Sequence, residues 1–125
     1  MSEIQTINAA ESRLPVFSTD MCAADMDRMI RNAERASAFL KALGHEGRLM
    51  ILCHLASGEK SVTELEDLLS ARQAAVSQQL TRLRLEGLVT PRRDGKAIFY
   101  SLTDDRAQQI IEVVYDLFCR ETETP

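Results

Sequence analysis

Two sets of side chains in this 125-residue chain can do chemistry, one through sulfur and one through hydrogen bonds to nucleic acid. The three cysteines, Cys22, Cys53 and Cys119, stand too far apart for a CxxC motif, which removes a thioredoxin-like reading. The thiolate is the reactive form of cysteine, and no basic residue lies three or four positions from Cys53 or Cys119. His54 and Arg120 are sequence neighbours only, so any activation must come from another element. The second set begins with Gln73, Ser77, Gln78, Gln79 and Arg82 and continues with Arg92, Arg93 and Lys96 around Asp94-Gly95. Gln pairs with adenine edges, and Arg pairs with guanine edges or phosphates. The first five residues are expected to supply groove contacts, and the three bases after them phosphate or minor-groove contacts.

The elements that must position these residues follow from spacing. Five Gly and three Pro favour a mainly α chain with few strands. No sustained period marks residues 1–20, which read as a mobile leader, with a domain over 21–121 and a tail over 122–125. From Met26 on, Met29, Ala33, Ala36, Leu40 and Leu43 recur at alternating steps of three and four, a narrow apolar seam suited to pairing with another helix or to packing within one subunit. Gly44 closes that helix. A second helix, about 46–57, groups Leu49, Leu52, Cys53 and Ala56 on one face, where a cysteine taken alone reads as a small buried hydrophobe. Ser61 and Glu64 have the spacing of a capping box and open a third helix presenting Leu65, Leu68 and Leu69. After a turn at 70–72, a fourth helix, about 73–86, directs Val76, Leu80 and Leu83 inward and leaves Gln73, Ser77, Gln78, Arg82 and Arg84 available to solvent.

Two short helices joined by a three-residue turn match the helix-turn-helix plan, in which the second enters the major groove. Residues 88–93 and 96–102 around Asp94-Gly95 read as a β-hairpin with Arg92, Arg93 and Lys96 crowding its tip, a basic wing. A last helix, about 104–120, carries Ala107, Ile110, Ile111, Val114, Leu117 and Phe118, a stripe that completes the core, pairs across a dimer interface, or does both. The net charge of −4 conceals a basic island: residues 72–100 hold six basic and two acidic side chains, a net +4 against −8 for the remainder. Such an island suits local phosphate binding, while the acidic remainder limits nonspecific adhesion.

The segments Phe39-Leu-Lys-Ala-Leu-Gly-His-Glu-Gly-Arg-Leu-Met-Ile-Leu52, Val76-Ser-Gln-Gln-Leu-Thr-Arg-Leu-Arg-Leu-Glu-Gly-Leu-Val89 and Gly95-Lys-Ala-Ile-Phe-Tyr-Ser-Leu102 together resemble the ArsR/SmtB family of winged-helix repressors, over roughly residues 26–120. The resemblance implies a winged helix-turn-helix homodimer that binds double-stranded operator DNA at an inverted repeat and releases it when an inducer binds. A seam of Met29, Ala33, Ala36 and Leu40, with Val114 and Leu117 of the last helix, would hold the dimer. The stretch 61–66 lacks the Cys-x-Cys metal box of many members, and the last helix lacks the histidines others use for zinc. Cys53 and Cys119 instead resemble the paired cysteines of the BigR/SqrR branch, which sense persulfides and related oxidants by forming a disulfide or polysulfide bridge. On that resemblance Cys22 is a bystander.

The alternative is a metal-responsive repressor of the same family, using Cys53, His54, Cys119 and a donor from the leader for zinc or another thiophilic metal. Two cysteines would suffice chemically for a thiol peroxidase or transferase, but no glycine-rich phosphate loop, βαβ unit or catalytic carboxylate pair accompanies them. No enzyme activity, cofactor or resident metal is expected. Neither a membrane-length apolar run nor a secretion signal is present, so the expectation is a cytoplasmic protein with no membrane partner.

Overall fold

A computed structural model describes residues 20–71 and 73–120, the Gln73 side chain excepted. The leader up to residue 19, the tail at 122–125 and Arg72 lie outside the described residues. The chain divides into two units, residues 1–35 and 36–125. The first contains the start of α1 (Ala23–Leu43), which begins three residues ahead of the expected seam; the Cys22 carbonyl accepts the Met26 N–H at 3.0 Å. Asp25 in its first turn pairs with Arg28 at 2.8 Å, an exposed contact worth little to stability. Met26, Met29 and Ile30 are exposed in this unit.

The second unit continues α1 and adds α2 (Glu46–Leu55), β1 (Lys60–Ser61), α3 (Val62–Leu69), α4 (Gln73–Leu85), β2 (Val89–Asp94), β3 (Ala97–Leu102) and α5 (Asp105–Phe118). The five helices and the hairpin have the expected order. Three of the helix starts have a local cause. His45 Nδ1 accepts the Gly47 N–H at 3.1 Å at the head of α2, and Asp104 accepts the Arg106 N–H at 2.9 Å at the head of α5. At α3 both bonds of the expected capping box form, Glu64 N–H to Ser61 Oγ at 3.1 Å and Ser61 N–H to Glu64 Oε1 at 2.8 Å. Gly87 ends α4 at φ +75, with Leu88 N–H donating to Leu83 O and Gly87 N–H to Arg84 O, the paired bonds of a Schellman stop.

Val76, Leu80 and Leu83 point inward, as their spacing predicts, and with Ile51, Leu52 and Leu65 they are the largest fully buried side chains of the core. Ala107 and Ile111 of α5 and Leu88 and Val89 beside the wing close it. Two faces differ from expectation. On α2 the core takes Ile51, Leu52 and Leu55, leaving Leu49 and Ala56 half-buried and Cys53 exposed. That helix is apolar on several sides, so spacing alone could not say which side meets α4. On α3 Leu65 is buried but Leu68 is half exposed, because a helix of about two turns presents only one narrow stripe to its neighbours.

The wing belongs to a three-stranded antiparallel sheet of order β1-β3-β2. The two-residue strand β1, absent from the sequence reading, pairs Lys60 with Tyr100 and Ser61 with Phe99. Asp94 pairs with Ala97, so the two turn residues are Gly95 and Lys96, one position later than expected. Gly95, at φ +64, occupies the first central position, where a tight hairpin turn needs a positive φ.

Candidate DNA-reading surface and dithiol groove

The α3–turn–α4 unit displays a polar face. Ser70 caps α3 in the left-handed region at φ 51, three residues separate Leu69 from Gln73, and α4 follows with Ser77, Gln78, Arg82 and Arg84 exposed. Gln73 opens α4, and its side chain lies outside the described residues. Gln79, expected among the groove contacts, is not on the exposed face. It is half-buried on the side facing α2, where its Oε1 accepts from Arg48 Nη1 at 3.4 Å. The deciding feature is the roll of α4 against α2, which polarity along the sequence does not encode.

On the wing, Arg93 and Lys96 are exposed, Lys96 within the turn itself. Arg92 sits lower, two ladder pairs from the turn, and not at the tip. It donates through Nε and Nη2 to both carboxylate oxygens of Glu59 at 2.9 and 2.8 Å, while its guanidinium stacks over Phe99 at 4.9 Å. The hydrogen bonds from Arg92 hold the Glu59 carboxyl below its ordinary range, and the same carboxylate raises Arg92. The forked pair ties the base of the wing to the residue preceding β1. A groove of about 300 Å³ between α3, α4 and the wing is lined by Thr63, Ser77, Lys96 and Tyr100 among others, bringing a reading-helix hydroxyl and a wing ammonium to one surface.

The thiol site lies between α2 and α5. Cys53 and Cys119, 66 positions apart in sequence, line one open groove of about 490 Å³ together with Ala56, Ile111, Val114, Tyr115 and Arg120. Cys53 projects from the last turns of α2, and Cys119 is the C-cap of α5, its N–H donating to Tyr115 O at 2.8 Å. Neither is in a disulfide, nor is exposed Cys22. Cys53 is exposed as a residue, yet partial desolvation in the groove pushes its thiol up, and the charge of nearby Cys119 adds to the rise. The rise favours the protonated thiol, the less nucleophilic form. On the rim, Arg120 pairs with Asp116 at 3.0 Å. Among the described residues no three of His, Cys, Asp or Glu gather into a group that could hold a metal ion. No helix among them is long and apolar enough to cross a membrane.

Of the residues expected to hold a dimer, Met29, Ala33, Ala36 and Leu40 are all exposed on α1. Leu117 of α5 is 64% exposed and its neighbour Phe118 73%, a large exposed apolar area. Val114 is half-buried and turns to the dithiol groove. Phe118, part of the apolar stripe expected on α5, and Val113, outside that stripe, are also exposed.

A three-residue turn between two helices, a polar second helix and a basic two-stranded wing define a winged helix-turn-helix DNA-binding protein. The chain belongs to the arsR family of bacterial regulatory proteins, whose model matches residues 45–90. It is 44% identical over 104 residues to the biofilm growth-associated repressor of Agrobacterium fabrum, covering 83% of this chain and 89% of that one. It is 38% identical over 96 residues to HlyU of Vibrio cholerae, named a transcriptional activator, covering 77% and 89%. Among solved structures it is similar to the transcriptional repressor BigR of Xylella fastidiosa, with a TM-score of 0.69, 42% identity and coverage of 79% of this chain and 98% of that one. The chain is thus a regulator of transcription.

Proposed function

We propose that this protein is a homodimeric repressor that binds an inverted repeat in operator DNA and lets go when reactive sulfur links Cys53 to Cys119. The single observation that carries the sensing half is the convergence of these two distant thiols on one solvent-open groove. A thiolate of the pair attacks the outer sulfur of a persulfide R–S–SH, expelling R–SH and leaving a protein persulfide. The second thiol attacks the inner sulfur, closing Cys–S–S–Cys with loss of H2S. If both cysteines are first converted to persulfides, the same attack leaves a trisulfide and again expels H2S. The bridge joins α2, which packs on the reading helix, to α5, so one covalent event reaches both the reading unit and the proposed dimer element. Repression is favoured by the resemblance to BigR-type relatives, although HlyU carries the opposite name.

In this reading Ser77, Gln78 and Arg82, with Gln73 at the head of α4, meet base edges, and Arg93 and Lys96 meet phosphate or the minor groove. Arg92 serves the wing's base through Glu59. Exposed apolar area on α1 and α5 supports a two-fold dimer, which matches a palindromic site. The test is gel shift of reduced and persulfide-treated protein with intact mass measured on the same samples, and a promoter fusion for the sign of regulation. Release from DNA that accompanies a Cys53–Cys119 link, and is lost in Cys53→Ser and in Cys119→Ser but not in Cys22→Ser, is the expected result. Retained response in the Cys53→Ser, Cys119→Ser double mutant would remove the pair from the mechanism. The metal-responsive alternative would then need donors from outside the described residues.

A further inference from the structure

We infer that Gln79 is a positioning residue for operator recognition, clamped by Arg48, and that it does not itself read DNA. Arg48 stands near the start of α2 and is half-buried. Its guanidinium spends its donors in three directions: Nε to Ala42 O at 2.7 Å, Nη2 to Lys41 O at 3.2 Å, and Nη1 to Gln79 Oε1 at 3.4 Å. The first two acceptors are carbonyls in the last turn of α1, where few partners remain along the helix; Lys41 O also accepts the Gly44 N–H at 3.2 Å. The third lies on the reading helix, immediately after Gln78. One side chain therefore joins the end of α1, the start of α2 and the middle of α4.

The surroundings of Gln79 support the same role. A Cβ placed on Gly47 would approach Gln79 Nε2 to 3.7 Å and the His45 ring to 3.3 Å, so the first turn of α2 lies close against the amide. Gln79 also lines a small apolar cavity of about 160 Å³ with Gly47, Met50, Leu69 and Val76. A side chain so placed cannot reach a base edge without leaving Arg48. What it sets is the roll of α4 about its own axis. Rotating that helix by one residue's angular step, about 100°, would replace Gln78 with a different side chain at the groove. A planar guanidinium with five fixed donors can hold three elements at once, which a lysine ammonium does less well. The inference rests on the DNA-binding role of the family and is independent of sulfur sensing.

The experiment uses the full-length reduced protein, a duplex selected from random-sequence DNA by the wild type, and a scrambled duplex of equal length. Gln79→Glu decides between the roles. It keeps the acceptor and offers Arg48 a charge-assisted bond, whereas a carboxylate at a true DNA contact repels phosphate and loses the base pairing. Gln79→Glu should bind both duplexes within about threefold of wild type, and Gln79→Leu should lose about tenfold on the selected duplex alone, the value of one hydrogen bond to a charged donor. The salt dependence should stay unchanged in both, because no phosphate contact is removed. Adding Gln79→Leu to Arg48→Met should cost no more than Arg48→Met alone. Wild-type melting temperatures in the Gln79 variants confirm that the loss is not unfolding. A loss of more than tenfold by Gln79→Glu on either duplex, wild-type behaviour of Gln79→Leu, or additive losses with Arg48→Met would each overturn the inference.

Discussion

Linking Cys53 to Cys119 should stabilise the fold even as it releases DNA, and the size of the effect follows from where the thiols lie. The bridge would close a loop of 66 residues. In the chain-entropy model such a closure destabilises the unfolded state by about 4 kcal/mol. For a folded body of this size each kcal/mol moves the melting temperature by about 4–8 °C, so a rise of roughly 15–30 °C is the ceiling. Strain lowers it; Cys119 is the C-cap of α5, just past Phe118, where a helix end adjusts more easily than the core, and the facing wall is an open groove. If a disulfide falls short, one more sulfur adds about 2 Å of reach. A rise of at least about 5 °C is therefore expected. The assay is thermal unfolding of reduced and persulfide-treated protein at one protomer concentration, since dimerisation also shifts the transition. Cys53→Ser treated in the same way should show no rise. A bridged protein that melts at or below the reduced one would refute the reasoning, because it would mean that the groove must be forced to bring the thiols together.

Three further outcomes follow from the same geometry. Gln78→Ala should relax base preference at one position per half-site by ~1–3 kcal/mol, whereas Lys96→Ala should weaken all sequences and lower the salt slope by about 1, both read by titration against selected and scrambled duplexes. Leu117→Asp and Leu40→Asp should each shift sedimentation from dimer to monomer, and a dimer retained in both would place the interface elsewhere. The folded state holds Cys53 as a thiol more firmly than the unfolded chain does, so its contribution to stability is complete below the unfolded thiol's pKa and is lost as pH rises through the higher folded value. Cys53→Ser should flatten that alkaline loss in unfolding titrations, and an unchanged alkaline slope would contradict the desolvation argument.

What the sequence determined is what depends on near neighbours along the chain. The capping box at Ser61 and Glu64, the three-residue turn after Leu69, the inward Val76, Leu80 and Leu83, the stop at Gly87 and the hairpin were all legible, because each is set by contacts within a few residues. Helix faces were legible only where a single stripe was apolar. On α2, apolar on several sides, the side that meets α4 was settled by packing, which left Cys53 facing the groove and Ile51 and Leu55 in the core. The same roll of one helix on another turned Gln79 inward to Arg48, and pairing with Glu59 set Arg92 at the base of the wing. Strand β1 went unseen because two residues have no period to read, and it exists only where β3 supplies partners. The meeting of Cys53 and Cys119 belongs to this second kind: family resemblance pointed to the pair, but only α5 lying across the end of α2 brings two thiols 66 positions apart to one groove. Long-range placement of this sort depends on the summed packing of the core, and no local spacing encodes it.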